Sequence, residues 1–160
     1  MTIEHERFSH MAETKTSIRH SYERTIPAQI EDVWRAITDS DELESAFFDN
    51  LVESTFMPGE PVRYISPEGV VMVDGMVLDV DEPHRLVHSF VYTVAADPEA
   101  ADDSPSRVTW ALEPGDEGTH VSLVHEGFDS RNATWRSVED GWDGILDALE
   151  RRFDTDTDDD

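Results

Sequence analysis

Hydrophobic and polar positions change rhythm three times along this chain, and each change marks a different kind of element. Residues 17–25 alternate, placing Ile18 and Tyr22 on one face with His20 between them, the period of a strand. Pro27 then opens a helix, with Glu31 and Asp32 at its positive N-terminal end and Ile30, Val33, Trp34 and Ile37 as its buried stripe. A second short helix follows, with Ser40 or Asp41 as cap and Leu43, Ala46 and Phe47 facing inward. From Leu51 onward the period returns to two. Turn chemistry at Pro58-Gly59, Pro67-Glu68-Gly69, Asp81-Glu82-Pro83 and residues 114–118 separates candidate strands at about 51–56, 60–66, 70–80, 85–94, 107–113 and 119–127. The last change is to a helix running from Ala133, capped by Asn132, to Phe153. Its Trp135, Val138, Trp142, Ile145, Leu146 and Leu149 form one apolar stripe.

Short connections make the strands antiparallel, because parallel neighbours need crossovers. The order therefore predicts an α+β domain in which a curved antiparallel sheet of about seven strands grips a long C-terminal helix, with a cavity between the two. Gly141 and Gly144 inside that helix each cost about 1 kcal/mol against alanine, which points to close approach or to an open cavity wall. Residues 95–106 read as an extended loop tip. The expected division is a mobile N-terminal arm at 1–16, one domain at 17–153 and an acidic disordered tail at 154–160.

Charge changes the picture more than composition does. The chain carries 37 acidic residues against 12 basic ones, and Lys15 is its single lysine. The tail holds five of the acids; without it 32 remain against 12, a net charge of −20, so the excess belongs to the folded body. Such lysine-poor, aspartate-rich surfaces resemble those of halophilic archaea, and their self-repulsion is relieved by salt. Nucleic acid and anionic membrane surfaces are disfavoured as partners. No cysteine is present, which removes disulfides, thiolate metal sites and a cysteine nucleophile. No apolar run approaches a membrane span and no signal pattern opens the chain, so a cytoplasmic location is expected.

Several stretches together resemble the helix-grip fold of the START-like (SRPBCC) superfamily, and more narrowly the family named for the activator of the Hsp90 ATPase. They are Ile26-Pro27-Ala28, Val33-Trp34-Arg35-Ala36-Ile37-Thr38-Asp39, residues 75–87 (Gly75 to Val87), Val108-Thr109-Trp110-Ala111-Leu112-Glu113-Pro114, Gly118-Thr119, His125-Glu126-Gly127-Phe128 and Gly141-Trp142-Asp143-Gly144-Ile145-Leu146. The resemblance spans about residues 17–153. It implies a stand-alone domain that holds an apolar small molecule. Wider relatives include lipid carriers, plant hormone receptors and polyketide aromatase/cyclases, among which fold alone does not choose.

Strand parity nominates the lining of the cavity. His88, Phe90 and Tyr92 share one face with Leu86; Trp110 shares one with Val108 and Leu112; Leu123 and His125 share one with Val121. Tyr64, Met72 and Met76 are further candidates, though the 70–80 run is apolar on both faces. Phe47 and Phe48 fall where such folds carry a lid, and Trp135, Trp142 and Ile145 come from the closing helix. The expected polar handles are His88, His125 and Tyr92. Binding of a small hydrophobic or aromatic molecule is the leading reading. One alternative is an enzyme of the cyclase or dehydratase type, with His88 or His125 moving a proton beside Tyr92. Another, implied by the family resemblance, is an Hsp90-activator-like protein-binding module. For each histidine, a structural role with a polar partner in the core is the simpler expectation. A metal site lacks a third ligand at suitable spacing, no cofactor motif is present, and monomer and homodimer both remain open.

Overall fold

The alternating segments pair into one seven-stranded antiparallel sheet: β1 His20–Ile26, β2 Leu51–Glu53, β3 Pro61–Ile65, β4 Val71–Asp81, β5 Arg85–Tyr92, β6 Ser106–Gly115 and β7 Gly118–Glu126. In this computed structural model residues 18–38, 51–139 and 141–153 are described, Leu51 by its backbone alone. The expected arm at 1–16, the second short helix with Phe47 and Phe48, and the tail at 154–160 lie outside the described residues. The sheet order is β1-β7-β6-β5-β4-β3-β2, so the first strand closes against the last. Helix α1, Ile30–Thr38, buries the expected Ile30, Val33, Trp34 and Ile37 and keeps Glu31 and Asp32 in its first turn.

The concave face carries the core. Ile26, Val62, Leu86, Val108, Trp110, Leu112, Val121 and Leu123 are almost completely buried, and the C-terminal helices cover them with Trp142, Leu146 and Leu149. Two one-residue bulges interrupt β4. Tyr64 pairs with Val73 but Ile65 with Val71, leaving Met72 as the extra residue; Val77 pairs with His88 but Asp79 with Val87, leaving Leu78 as the second. A bulge re-aims the side chain it carries. Met72 turns by this means toward the core, although its neighbour Val73 already faces inward.

Two expectations gain detail. The closing helix comprises α2 Ala133–Val138 and α3 Gly141–Arg152, residue 140 between them lying outside the described residues. Asn132 caps the first as expected, its Oδ1 accepting from the Trp135 backbone N–H at 2.9 Å. The carbonyl of Glu139 accepts from the Tyr22 hydroxyl at 2.8 Å, so a strand side chain supplies the partner that a helix end lacks. The 93–105 connection is also no free loop tip. It makes a single 3-10 turn, Ala100–Asp102, and packs back onto α2 with Ala100 fully buried. The Asp103 carboxylate accepts from both the backbone N–H and the hydroxyl of Thr134, each at 2.8 Å. Arg136 pairs with Glu99 at 3.3 Å, and Ser137 donates to Asp97 at 2.8 Å.

Candidate functional site

Between the β3–β5 side of the sheet and the two C-terminal helices lies a cavity of about 170 Å³. Tyr64, Met72, Val73, Phe90 and Tyr92 come from the sheet; Ser137 and Val138 come from α2, and Gly141, Trp142 and Ile145 from α3. An engineered apolar protein cavity of about 150 Å³ holds one benzene molecule, so this volume suits a single ring and is too small to enclose a long acyl chain. Helical spacing explains the α2 and α3 contribution: positions 137, 138, 141, 142 and 145 fall on one face of a 3.6-residue period. Gly141 has open space where a Cβ would stand. It therefore meets the second sequence expectation, that of an open wall.

Six of the nominated residues meet at this cavity: Tyr64, Met72, Phe90, Tyr92, Trp142 and Ile145. The others do not. Met76 sits on the opposite face of the sheet, 49% exposed, because Val73 and Val77 set the inward parity of β4. Trp110 and Leu123 are core, Trp110 meeting Trp142 edge to face at 5.9 Å. Trp135 stacks on His20 at 4.7 Å with the Arg131 guanidinium 5.3 Å from its ring centre, and its buried indole N–H has no hydrogen-bond partner among the described residues. Val73, Ser137 and Val138 line it as well and were not nominated, whereas Gly141 was read only as a possible open wall. The stripe of the closing helix was the available signal: Val138 is one of its members, and Ser137 and Gly141 each sit one residue before a large apolar position.

The two histidines stand behind the cavity wall and outside its lining. His125 is fully buried; its Nδ1 accepts from the Trp142 indole N–H at 3.0 Å, and its Nε2 lies 2.7 Å from the Ser106 hydroxyl. Indole nitrogen is a donor only, so Nδ1 holds no proton and Nε2–H donates to Ser106. Ser106 in turn donates to the Phe90 carbonyl at 3.3 Å. Burial, with the charges of His88 and His20 adding to it, holds the imidazole well below its usual pKa. His88 carries the opposite tautomer. Its Nδ1–H donates to the Ser89 carbonyl at 2.8 Å, leaving Nε2 to accept from the Tyr64 hydroxyl at 3.3 Å. Burial lowers its pKa to about 4, the hydrogen bond to Ser89 opposing. Both rings are neutral and both ring nitrogens of each are committed, so neither presents a proton-transfer atom to the cavity.

The hydroxyl-bearing residues of the lining are Tyr64, Tyr92 and Ser137; Tyr64 bonds to His88 and Ser137 donates to Asp97. Burial pushes the Tyr64 phenol above its ordinary range. Burial pushes Tyr92 up to about 12, the charge of Asp97 adding to it. Both are therefore neutral phenols at physiological pH. The Tyr92 hydroxyl makes no hydrogen bond among the described residues, which leaves a donor and an acceptor for whatever fills the space. Among the described residues, no three His, Asp or Glu side chains converge as a metal site would require.

Comparison with known proteins agrees with this architecture. No curated protein matches the chain. Among solved structures, protein MLL2253 from Mesorhizobium loti is 26% identical with a TM-score of 0.69, over 83% of this chain and 94% of that one. CalU16 from Micromonospora echinospora is 22% identical with a TM-score of 0.61, over 87% of this chain and 75% of that one. The Aha1 dimer from Colwellia psychrerythraea is 15% identical with a TM-score of 0.64, over 84% and 95%. These likenesses place the seven-stranded sheet and its C-terminal helices in the helix-grip fold of the SRPBCC superfamily. No helix among the described residues is long and apolar enough to cross a membrane. The family described as "Activator of Hsp90 ATPase homolog 1-like protein" matches residues 27–154, most of the chain, and the chain belongs to that family.

Proposed function

We propose that this domain binds a small hydrophobic or aromatic molecule in the cavity between the sheet and the C-terminal helices. The observation that carries the reading is a void walled by Tyr64, Met72, Phe90, Tyr92 and Trp142, in which the Tyr92 hydroxyl makes no hydrogen bond among the described residues. Apolar walls with few convergent polar groups are the usual make-up of ligand sites. A core that simply packs would close such a space. The cyclase or dehydratase alternative loses its acid–base group, because both histidines are held neutral behind the wall. The reading applies to a monomer and to a homodimer alike. We extend the same reading to the medium: the acidic body suits a salt-rich cytoplasm, with no nucleic acid or membrane surface as partner.

The test is thermal unfolding with a panel of single-ring lipophilic compounds. A compound at a hundred times its Kd adds about 2.7 kcal/mol to the native state, a rise in Tm of several degrees for a domain this size. Gly141→Leu, which builds a side chain into the open wall, should abolish the rise while the variant stays folded. A panel without effect on the wild-type chain would refute the reading.

A further inference from the structure

The charge of the ligand can be read from the rim of the cavity. Asp97 lies there, in the connection after β5. Its Oδ2 accepts from Ser137, itself a lining residue, at 2.8 Å, and its Oδ1 accepts from the Ala100 backbone N–H at 3.2 Å. Those two bonds fix the carboxylate and leave acceptor capacity on both oxygens. No basic side chain pairs with it among the described residues. Arg136, on the adjacent helix, is committed to Glu99 and to the Arg131 carbonyl, and Arg131 lies over Trp135. No cation lines the cavity either, since its lining includes no basic residue and the imidazoles behind it are neutral.

We propose that the cavity selects a small organic cation, its apolar body among Tyr64, Phe90, Tyr92 and Trp142 and its ammonium at the Asp97 carboxylate. The proposal rests on the ligand-site reading above and gives it a chemical class. Aromatic faces carry negative potential and attract cations, and the box offers four aromatic rings. Burial is the larger cause of the raised Tyr92 pKa, and the Asp97 charge 2.8 Å from Ser137 adds to it. At a formal net charge of −25 the whole surface concentrates cations and repels anions. A carboxylate ligand would find no cation to pair with and a fixed anion at the entrance. A primary or quaternary amine finds its counter-charge in place.

The test uses three probes that share a ring and differ in charge: benzylamine, benzyl alcohol and benzoate. Shifts of the Trp142 indole N–H and the Ser137 amide are followed by NMR at about 1 M KCl, where screening over about 3 Å suppresses diffuse binding to the acidic surface. Benzylamine should bind about tenfold more tightly than benzyl alcohol, and benzoate should not bind measurably. Asp97→Asn, which keeps an acceptor for the Ala100 N–H, should bring benzylamine to the level of benzyl alcohol. Glu113→Gln, on the exposed face of β6, should leave the order unchanged. Benzyl alcohol or benzoate binding as tightly as benzylamine to the wild-type chain would overturn the cation proposal and leave the ligand site standing. A benzylamine preference that survives in Asp97→Asn would overturn it too. If no probe moves the Trp142 resonance, the ligand-site reading fails and the proposal falls with it.

Discussion

Trp142 faces two ways. Its ring is cavity wall, while its indole N–H is the donor that fixes His125 in the Nε2–H form. Trp142→Phe keeps most of the ring but leaves a buried nitrogen without a donor, which costs about 1–3 kcal/mol. Urea unfolding should register that loss. The imidazole 15N shifts should show His125 leaving its single tautomer. His88 makes a second prediction. Its pKa is about 4 in the folded chain against an ordinary value of about 6.5. Between those values the unfolded chain binds a proton that the folded chain refuses, so the contribution of His88 is full above pH 6.5 and is lost as pH falls toward 4. The loss is roughly 3 kcal/mol. His88→Gln should flatten that part of the stability–pH curve relative to wild type, the shared background of carboxylate titration cancelling in the comparison. Alternation along β5 and β7 was enough to place both rings on the inward face. It could not say what they bond to, because Trp142 and Tyr64 reach them from other elements 17 and 24 residues away.

Two glycines separate the demands of neighbouring elements. A Cβ on Gly75 would run into the backbone carbonyl of Ser89 on the facing strand, whereas one on Gly141 would meet nothing. Gly75→Ala should therefore destabilise by about 1–3 kcal/mol, since the β4–β5 pairing must shift. Gly141→Ala should stabilise by up to about 1 kcal/mol through helix propensity. Equilibrium denaturation of the pair should give opposite signs. Strand order and the α1 stripe were legible in the sequence because each depends on local period. The partner of the Glu139 carbonyl was not, because it is the Tyr22 hydroxyl 117 residues earlier. Docking of the 93–105 segment was equally hidden: Asp97, Glu99 and Asp103 look like solvated acids until Ser137, Arg136 and Thr134 are brought beside them. Met76 was misplaced for a related reason, β4 being apolar on both faces and its parity set only by its partners.

At the scale of the whole molecule, repulsion and pairing compete. Arg24 holds α3 to β1 through Asp143 and Asp147 at 3.1 Å each and Glu150 at 3.7 Å, three acids on one helix face. Salt weakens such bridges, but exposed pairs contribute only about 0–1 kcal/mol each. The excess of 37 acids over 12 bases is the larger quantity, so screening should stabilise on balance. Tm should rise steadily with KCl. Arg24→Gln should lower it most at the low-salt end, and a Tm that falls with salt would mean that pairing dominates. The seam between β1 and β7 has another consequence, which concerns time. His20 is synthesised 105 residues before its partner His125. At ordinary elongation rates that is a wait of roughly 5 to 20 seconds. During translation the first strand has no neighbour in its own sheet, and the wall carrying Trp142 does not yet exist. A small molecule can therefore meet only chains in which the last strand and the closing helix have been made. It can reward completed folding, but it cannot guide the nascent polypeptide.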